Sequence, residues 1–170
     1  KSHQAETARG CRRGGVETAV QCQTSWREYD SSRATQGPSV IVVIDASVIV
    51  KWFFPDPARE PHSDRALNVL EGVREGHGEP LQPPHWLAEV AAVIARLDPK
   101  FAGTAIDLLD AMDLSVSGES AVYKRAAVLA NQLNQHLFDT LYHAVALEHD
   151  AMLISADQRY CRKARHLGRI

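Results

Sequence analysis

Four acidic residues stand where they could do chemistry together: Asp45, Glu89, Asp139 and Asp157. Asp45 sits inside the most hydrophobic stretch of the chain, VIVVIDASVIV at 40–50. An ionised carboxylate is costly to bury without compensation, so an aspartate at the end of such a strand calls for a partner. Asp157 lies just past a second apolar run, AMLIS at 151–155. Glu89 follows the paired prolines Pro83 and Pro84, and Asp139 opens the segment DTLYHAVALEH. Converging carboxylates repel each other, and one or more takes up a proton. A hard divalent cation, Mg²⁺ or Mn²⁺, removes that conflict because it favours oxygen ligands and keeps several waters. A cation held there activates water and stabilises charge on a phosphodiester. Each acid also has a plainer use. Asp139 and Asp157 suit helix N-caps, and Glu89 suits a solvated helix face. Asp45 is the hardest to explain in that way.

The elements that must position these acids alternate. Val40–Ile44 reads as a strand and Ser47–Phe53 as an apolar helix. Asp56–Pro57 offers an N-cap followed by proline at the first helical position, for a helix running to about Glu75. Residues 79–84 form a short extended piece. Trp86–Leu97 is a helix with Leu87, Val90, Ile94 and Leu97 on one stripe. Asp98–Pro99 repeats the cap-and-proline signal for a helix to about Met112. A short strand at 114–117, helices at 119–135 and 139–149, the strand 151–155 and a last helix at 157–167 complete the chain. Strands alternating with helices predict an α/β fold with a mainly parallel sheet. In such sheets ligands bind outside the carboxyl ends of the strands, where Asp45 and Asp157 both stand.

The chain has 170 residues, 45% of them hydrophobic, a size that favours one domain. Residues 1–39 have no sustained apolar period and are rich in Ser, Thr, Gln, Gly and Arg. They read as a polar extension, disordered or foreign to the native protein, ahead of a folded domain at 40–170. That domain carries thirteen Lys/Arg against seventeen Asp/Glu, a net of −4, which argues against holding nucleic acid by bulk charge. No apolar run reaches the ~18–20 residues that a membrane helix needs. From the polar N-terminus no secretion signal is expected. Cys11, Cys22 and Cys161 are odd in number and form no CxxC pair, which favours a reducing cytoplasm.

The segments VIDASVIVKWF, PHWLAEVAAVI and LFDTLYHAVALEHDAMLISADQRYCRKA resemble, in order and spacing, the PIN-domain ribonucleases, and among them the VapC toxins of bacterial type II toxin–antitoxin pairs. The resemblance covers residues 40–170 and leaves out 1–39. It implies a three-layer α/β/α sandwich and metal-dependent endonucleolytic cleavage of RNA. It also implies a homodimer and neutralisation by a cognate antitoxin. By the same resemblance Asp45, Asp139 and Asp157 are the direct ligands of Mg²⁺ or Mn²⁺. Glu89 acts through water or holds the second layer of contacts. Ser47 and Ser155 orient carboxylates or touch a phosphate, Ser155 standing where the family often has Thr. Lys51, Arg159, Arg162 and Lys163 are candidate phosphate contacts, although a basic C-terminal run also reads simply as a solvated helix face.

Other readings are weaker. A housekeeping PIN nuclease without an antitoxin and a non-catalytic PIN-like binding module both stay open. A metal-dependent phosphatase of another α/β family wants a second Asp two residues after the first, where this chain has Ser47. His143 and His149 are six apart and share no helix face, and there is no HExxH. There is no dinucleotide or P-loop glycine motif, and SGESAV at 117–122 is only half a nucleophile elbow.

Overall fold

The structure, a computed structural model, describes residues 40–55 and 62–170. The polar extension and the Asp56–Pro57 cap lie outside the described residues. Four strands form one parallel sheet: β1 (Val40–Ile44), β2 (Gly78–Gln82), β3 (Ser115–Val116) and β4 (Met152–Ile154), in the order β3-β2-β1-β4. Between β1 and β2 lie α1 (Ala46–Phe53) and α2 (Ser63–Arg74). Between β2 and β3 lie α3 (Trp86–Leu97) and α4 (Ala102–Asp110). Between β3 and β4 lie α5 (Ser120–Leu133) and α6 (Leu137–Glu148). After β4 come α7 (Gln158–Ala164) and a 3₁₀ turn at Arg165–Leu167.

The strand order explains the layers. The first two crossovers step the same way across the sheet, and the third returns past β2 and β1 to the far edge. Right-handed crossovers taken in opposite directions put their helices on opposite faces. α6 packs on β1, β2 and β4, and α5 packs on α6. On the other side α1 packs against α2 and α3, and α3 against α4. Consistently, successive residues Val42 and Val43, which point to opposite faces, are both fully buried. The fold is therefore the expected α/β sandwich with a parallel sheet. Its order reverses between β1 and β4, which is where such sheets form a ligand crevice.

Three local details differ from the expected pattern. α2 begins at Ser63, after His62 in a left-handed conformation at φ 72°. α6 begins at Leu137, two residues before Asp139. The buried stripe of α3 is Trp86, Val90 and Ile94, while Leu97 is 60% exposed. Leu97 belongs instead to the row Glu89–Val93–Leu97, spaced four apart on one helix face, and that row lines a cleft.

One buried side chain fixes the end of β1. Pro83 and Pro84 have no N–H, so β2 cannot continue its backbone ladder. The amide of Gln82, which has no solvent exposure, takes over. Its Oε1 accepts from Ile44 N at 3.1 Å and its Nε2 donates to Ile44 O at 2.9 Å. Gln82→Leu leaves both Ile44 groups unpaired, each costing about 1–3 kcal/mol. A loss of about 3 kcal/mol in urea denaturation is expected, with Gln82→Glu, which keeps the acceptor, falling in between.

A second buried polar group ties α6 to the C-terminal turn. His143 is fully buried. Its Nδ1 meets Tyr160 Oη at 3.0 Å and its Nε2 meets Gly168 O at 2.8 Å. A carbonyl can only accept, so Nε2 carries the proton and Nδ1 accepts from the tyrosine. Burial holds this imidazole below its ordinary 6.5, against the Gly168 contact, which raises it. The unfolded chain thus takes up a proton near 6.5 that the native protein refuses. The stability in question is complete above that pH and drains away as pH falls from 6.5 toward the native value. Between pH 7.5 and 5.5 wild type is expected to lose stability that His143→Gln does not, read from denaturation midpoints.

Candidate active site

The four acids reach one cleft of about 530 Å³, lined by Asp45, Glu89, Asp139 and Asp157 together with Ser47, Lys51 and Tyr160, and by an apolar wall of Val50, Phe54, Val93 and Leu97. The cleft opens where β1 and β4 end side by side, joined by Asp45 N donating to Ile154 O at 2.9 Å. Among the described residues, no histidine or cysteine lines it.

Asp45 follows β1 directly and Asp157 comes three residues after β4, and each caps the helix that follows. Asp45 Oδ1 accepts from Ser47 N at 2.7 Å at the start of α1. Asp157 Oδ1 accepts from Arg159 N at 2.8 Å and Tyr160 N at 3.0 Å at the start of α7. The plainer use of Asp157 is therefore realised, and it coexists with a place in the cleft. Asp139 is not the N-cap of α6. It is the third helical residue, and its carboxylate reaches back to the backbone of His136, the capping position, as the acid of a capping box does.

The serines hold the loops. Ser47 and Ser155 side chains both hydrogen-bond Asp45. Ser47 Oγ also accepts from Ala156 N at 3.0 Å, and Ser155 Oγ from Asp157 N at 3.1 Å. Thus α1 and the β4–α7 turn are stitched together at the carboxylates. Lys51 is nearly buried on the cleft wall. Arg159 and Arg162 are exposed on α7 and do not line the cleft. Lys163 is also outside the cleft lining, and its Nζ donates to Leu133 O at 3.2 Å. It caps the end of α5, since late helical carbonyls lack partners within the helix.

The electrostatics divide the acids. Burial, and to a lesser degree Glu89, pushes the Asp45 carboxyl above its ordinary 3.8, opposed by the hydrogen bonds from Ser47 and Ser155. Burial, then Glu89 and Asp157, pushes Asp139 up as well, with His136 opposing. Glu89 goes the other way. The His85 ring, with Nε2 3.4 Å from Oε2, and the Tyr142 hydroxyl, donating at 2.8 Å, hold its carboxyl below the usual range against burial. Glu89 is thus held toward its ionised form, while Asp45 and Asp139 are pushed toward the proton, chiefly by burial and in part by like charge.

Sequence reasoning missed His85, Tyr142 and Tyr160. Their types mark no motif. Only the packing of α3 and α6 brings His85 and Tyr142 to Glu89, and only the turn after β4 brings Tyr160 into the cleft.

The donor set suits a hard cation, being all oxygen and containing two carboxyls raised in part by their acidic neighbours. Among the described residues no three His, Cys, Asp or Glu groups are arranged to ligate one ion directly. Mg²⁺ is usually held through one or two carboxylates with the rest of its shell water, and that manner of binding fits this cleft. Among the same residues no helix is long and apolar enough to cross a membrane.

A family model described as the PIN domain matches residues 42–166, and the chain belongs to that family. PIN domains are in general nucleases. Among solved structures, the chain is similar to one in the crystal structure of VapBC2 from Rickettsia felis bound to a DNA fragment from their promoter. The identity is 16%, the TM-score is 0.53, and the match covers 72% of this chain and 92% of that one. No match is found among curated proteins.

Proposed function

We propose that this chain is a Mg²⁺- or Mn²⁺-dependent endoribonuclease, and the toxin of a toxin–antitoxin pair. The observation that carries the reading is the meeting of Asp45, Glu89, Asp139 and Asp157 in one cleft at the reversal of strand order. The folded nuclease domain is residues 40–170, with 1–39 an extension to it.

Asp45, Asp139 and Asp157 would hold the cation, and Glu89 would act on it through water. When bound, the cation supplies Lewis-acid activation of a water and neutralises charge on the phosphodiester. Glu89, kept ionised by His85 and Tyr142, accepts hydrogen bonds from water and orients it. Ser47 and Ser155 keep the Asp45 carboxylate aimed into the cleft. Lys51 faces the scissile phosphate from the wall of α1, and Arg159 and Arg162 meet the strand beyond the cleft. The toxin half of the proposal is supported by the fold shared with a chain of a VapBC2 complex. An antitoxin, a homodimer and a cytoplasmic setting belong to that same proposal.

The test is purified protein against total cellular RNA with Mg²⁺ or Mn²⁺, with cut sites mapped. Internal cleavage at a defined set of sites is expected. RNA left intact under both metals overturns the nuclease reading, and cleavage unaffected by co-expression with the product of an adjacent small gene overturns the toxin half.

A further inference from the structure

We propose that Phe138 is a stacking platform for one nucleobase beside the scissile phosphate. The inference rests on the reading of the cleft as an RNA-cleaving site and adds a residue that selects how the strand lies in it.

Phe138 is 59% exposed. Single exposed apolar residues are common on protein surfaces, so exposure alone argues nothing. Three further observations single this one out. It immediately precedes Asp139, in the first turn of α6, so its Cα stands one residue from a cleft carboxylate. Its ring is braced from behind: the His85 ring lies at 5.1 Å and 44° to it, and His85 in turn meets Tyr142 at 5.1 Å and 67°. Tyr142 donates to Glu89. The Phe138 ring and Glu89 are therefore linked by one chain of contacts through His85 and Tyr142.

His85 fits the role of a brace. Its side chain is 16% exposed and its Nε2 lies 3.4 Å from Glu89 Oε2, but neither ring nitrogen makes a hydrogen bond among the described residues. A buried polar atom without a partner is a cost that an apolar residue avoids. The imidazole is placed for its flat ring and its contact with Glu89.

Charge supplies the last argument. The folded domain carries an excess of acid, so long-range attraction does little to hold an RNA strand here. Stacking on an aromatic face does not depend on charge and tolerates any base. The exposed Phe138 ring, outside the cleft lining but one residue from Asp139 and packed on the His85 that faces Glu89, offers such a contact.

The experiment uses the full chain, with a short single-stranded RNA containing a mapped cut site and variants abasic at each flanking position. In wild type, removing one of the two flanking bases should lower kcat/KM about ten-fold, the change that ~1.4 kcal/mol of lost stacking produces. Phe138→Ala should lower cleavage of the intact RNA by the same factor and abolish the abasic penalty. Phe138→Trp should restore both, and Phe138→Leu should not. Cleavage by Phe138→Leu at the wild-type rate, an abasic penalty unchanged in Phe138→Ala, or a change in oligomeric state on sedimentation of Phe138→Ala each overturns the platform; the last assigns the ring to a protein interface. If wild type cuts no RNA with either metal, the nuclease reading fails. Binding of an uncleavable oligodeoxynucleotide then decides the platform separately. Affinity lost in Phe138→Ala and kept in Phe138→Trp supports it, and equal or undetectable binding overturns it.

Discussion

Asp45→Asn is expected to lower RNA cleavage by about a thousand-fold or more while making the metal-free protein more stable than wild type. Both effects follow from one position. Asp45 ends β1 against β4 and turns its carboxylate into the cleft with three other acids. Losing a carboxylate that holds a Lewis-acid cation removes several kcal/mol of transition-state stabilisation, and each 1.36 kcal/mol is about a factor of ten. The stability effect has the opposite sign. Burial and Glu89 raise the folded pKa of Asp45 above 3.8. Between 3.8 and the raised value the native protein holds a proton that the unfolded chain gives up. The stability this contributes is full below 3.8 and is lost as pH rises through the folded pKa. At neutral pH the ionised group therefore weighs against the fold, and Asn, with the same shape and no charge, lifts that burden. Asn also keeps an oxygen for Ser47 N, so the cap on α1 survives. Cleavage assays and thermal midpoints in EDTA measure the two halves. Wild-type cleavage by the variant would remove Asp45 from the mechanism.

Chelation is the second large effect. EDTA is expected to stop cleavage, and Mg²⁺ or Mn²⁺ to restore it. The same ions should raise the thermal midpoint of wild type, because a ligand bound only by the native state stabilises it. At one hundred times Kd the gain is about 2.7 kcal/mol, a shift of about 10 °C in a domain of this size. In Asp45→Asn the shift should be much smaller, since there is less repulsion to relieve. Wild-type and variant melts, with and without metal, form a cycle in which the metal and the substitution act on one electrostatic quantity. Activity persisting in chelator would point to chemistry that uses no metal, and an equal shift in both proteins would place the ion away from Asp45.

Part of this molecule is written locally. The helix Trp86–Leu97 has the bounds its apolar spacing predicts. β1 ends where its β-branched run meets Asp45. Asp45 and Asp157 stand at strand ends because strand length and cap chemistry are set by a few neighbouring residues. Residues so placed lie on the carboxyl edge of a parallel sheet whatever the rest of the chain does. That is why these two acids could be placed at the edge of the sheet from their positions alone.

The rest depended on which element met which. The α3 stripe drifted from the expected one because the helix has two working faces, one toward the core through Trp86, Val90 and Ile94, the other toward the cleft through Glu89, Val93 and Leu97. Apolar spacing cannot tell a core face from the wall of a cleft. Lys163 found a carbonyl of α5, a partner thirty residues away that no local pattern announces. The contrast between Glu89, held ionised, and Asp45 and Asp139, pushed toward the proton, arises from burial and from contacts across three elements. Residue types were determined by the sequence, together with the edge of the sheet they occupy. Distances, burial and charge coupling were decided by tertiary packing, because they are sums over neighbours brought together from far along the chain.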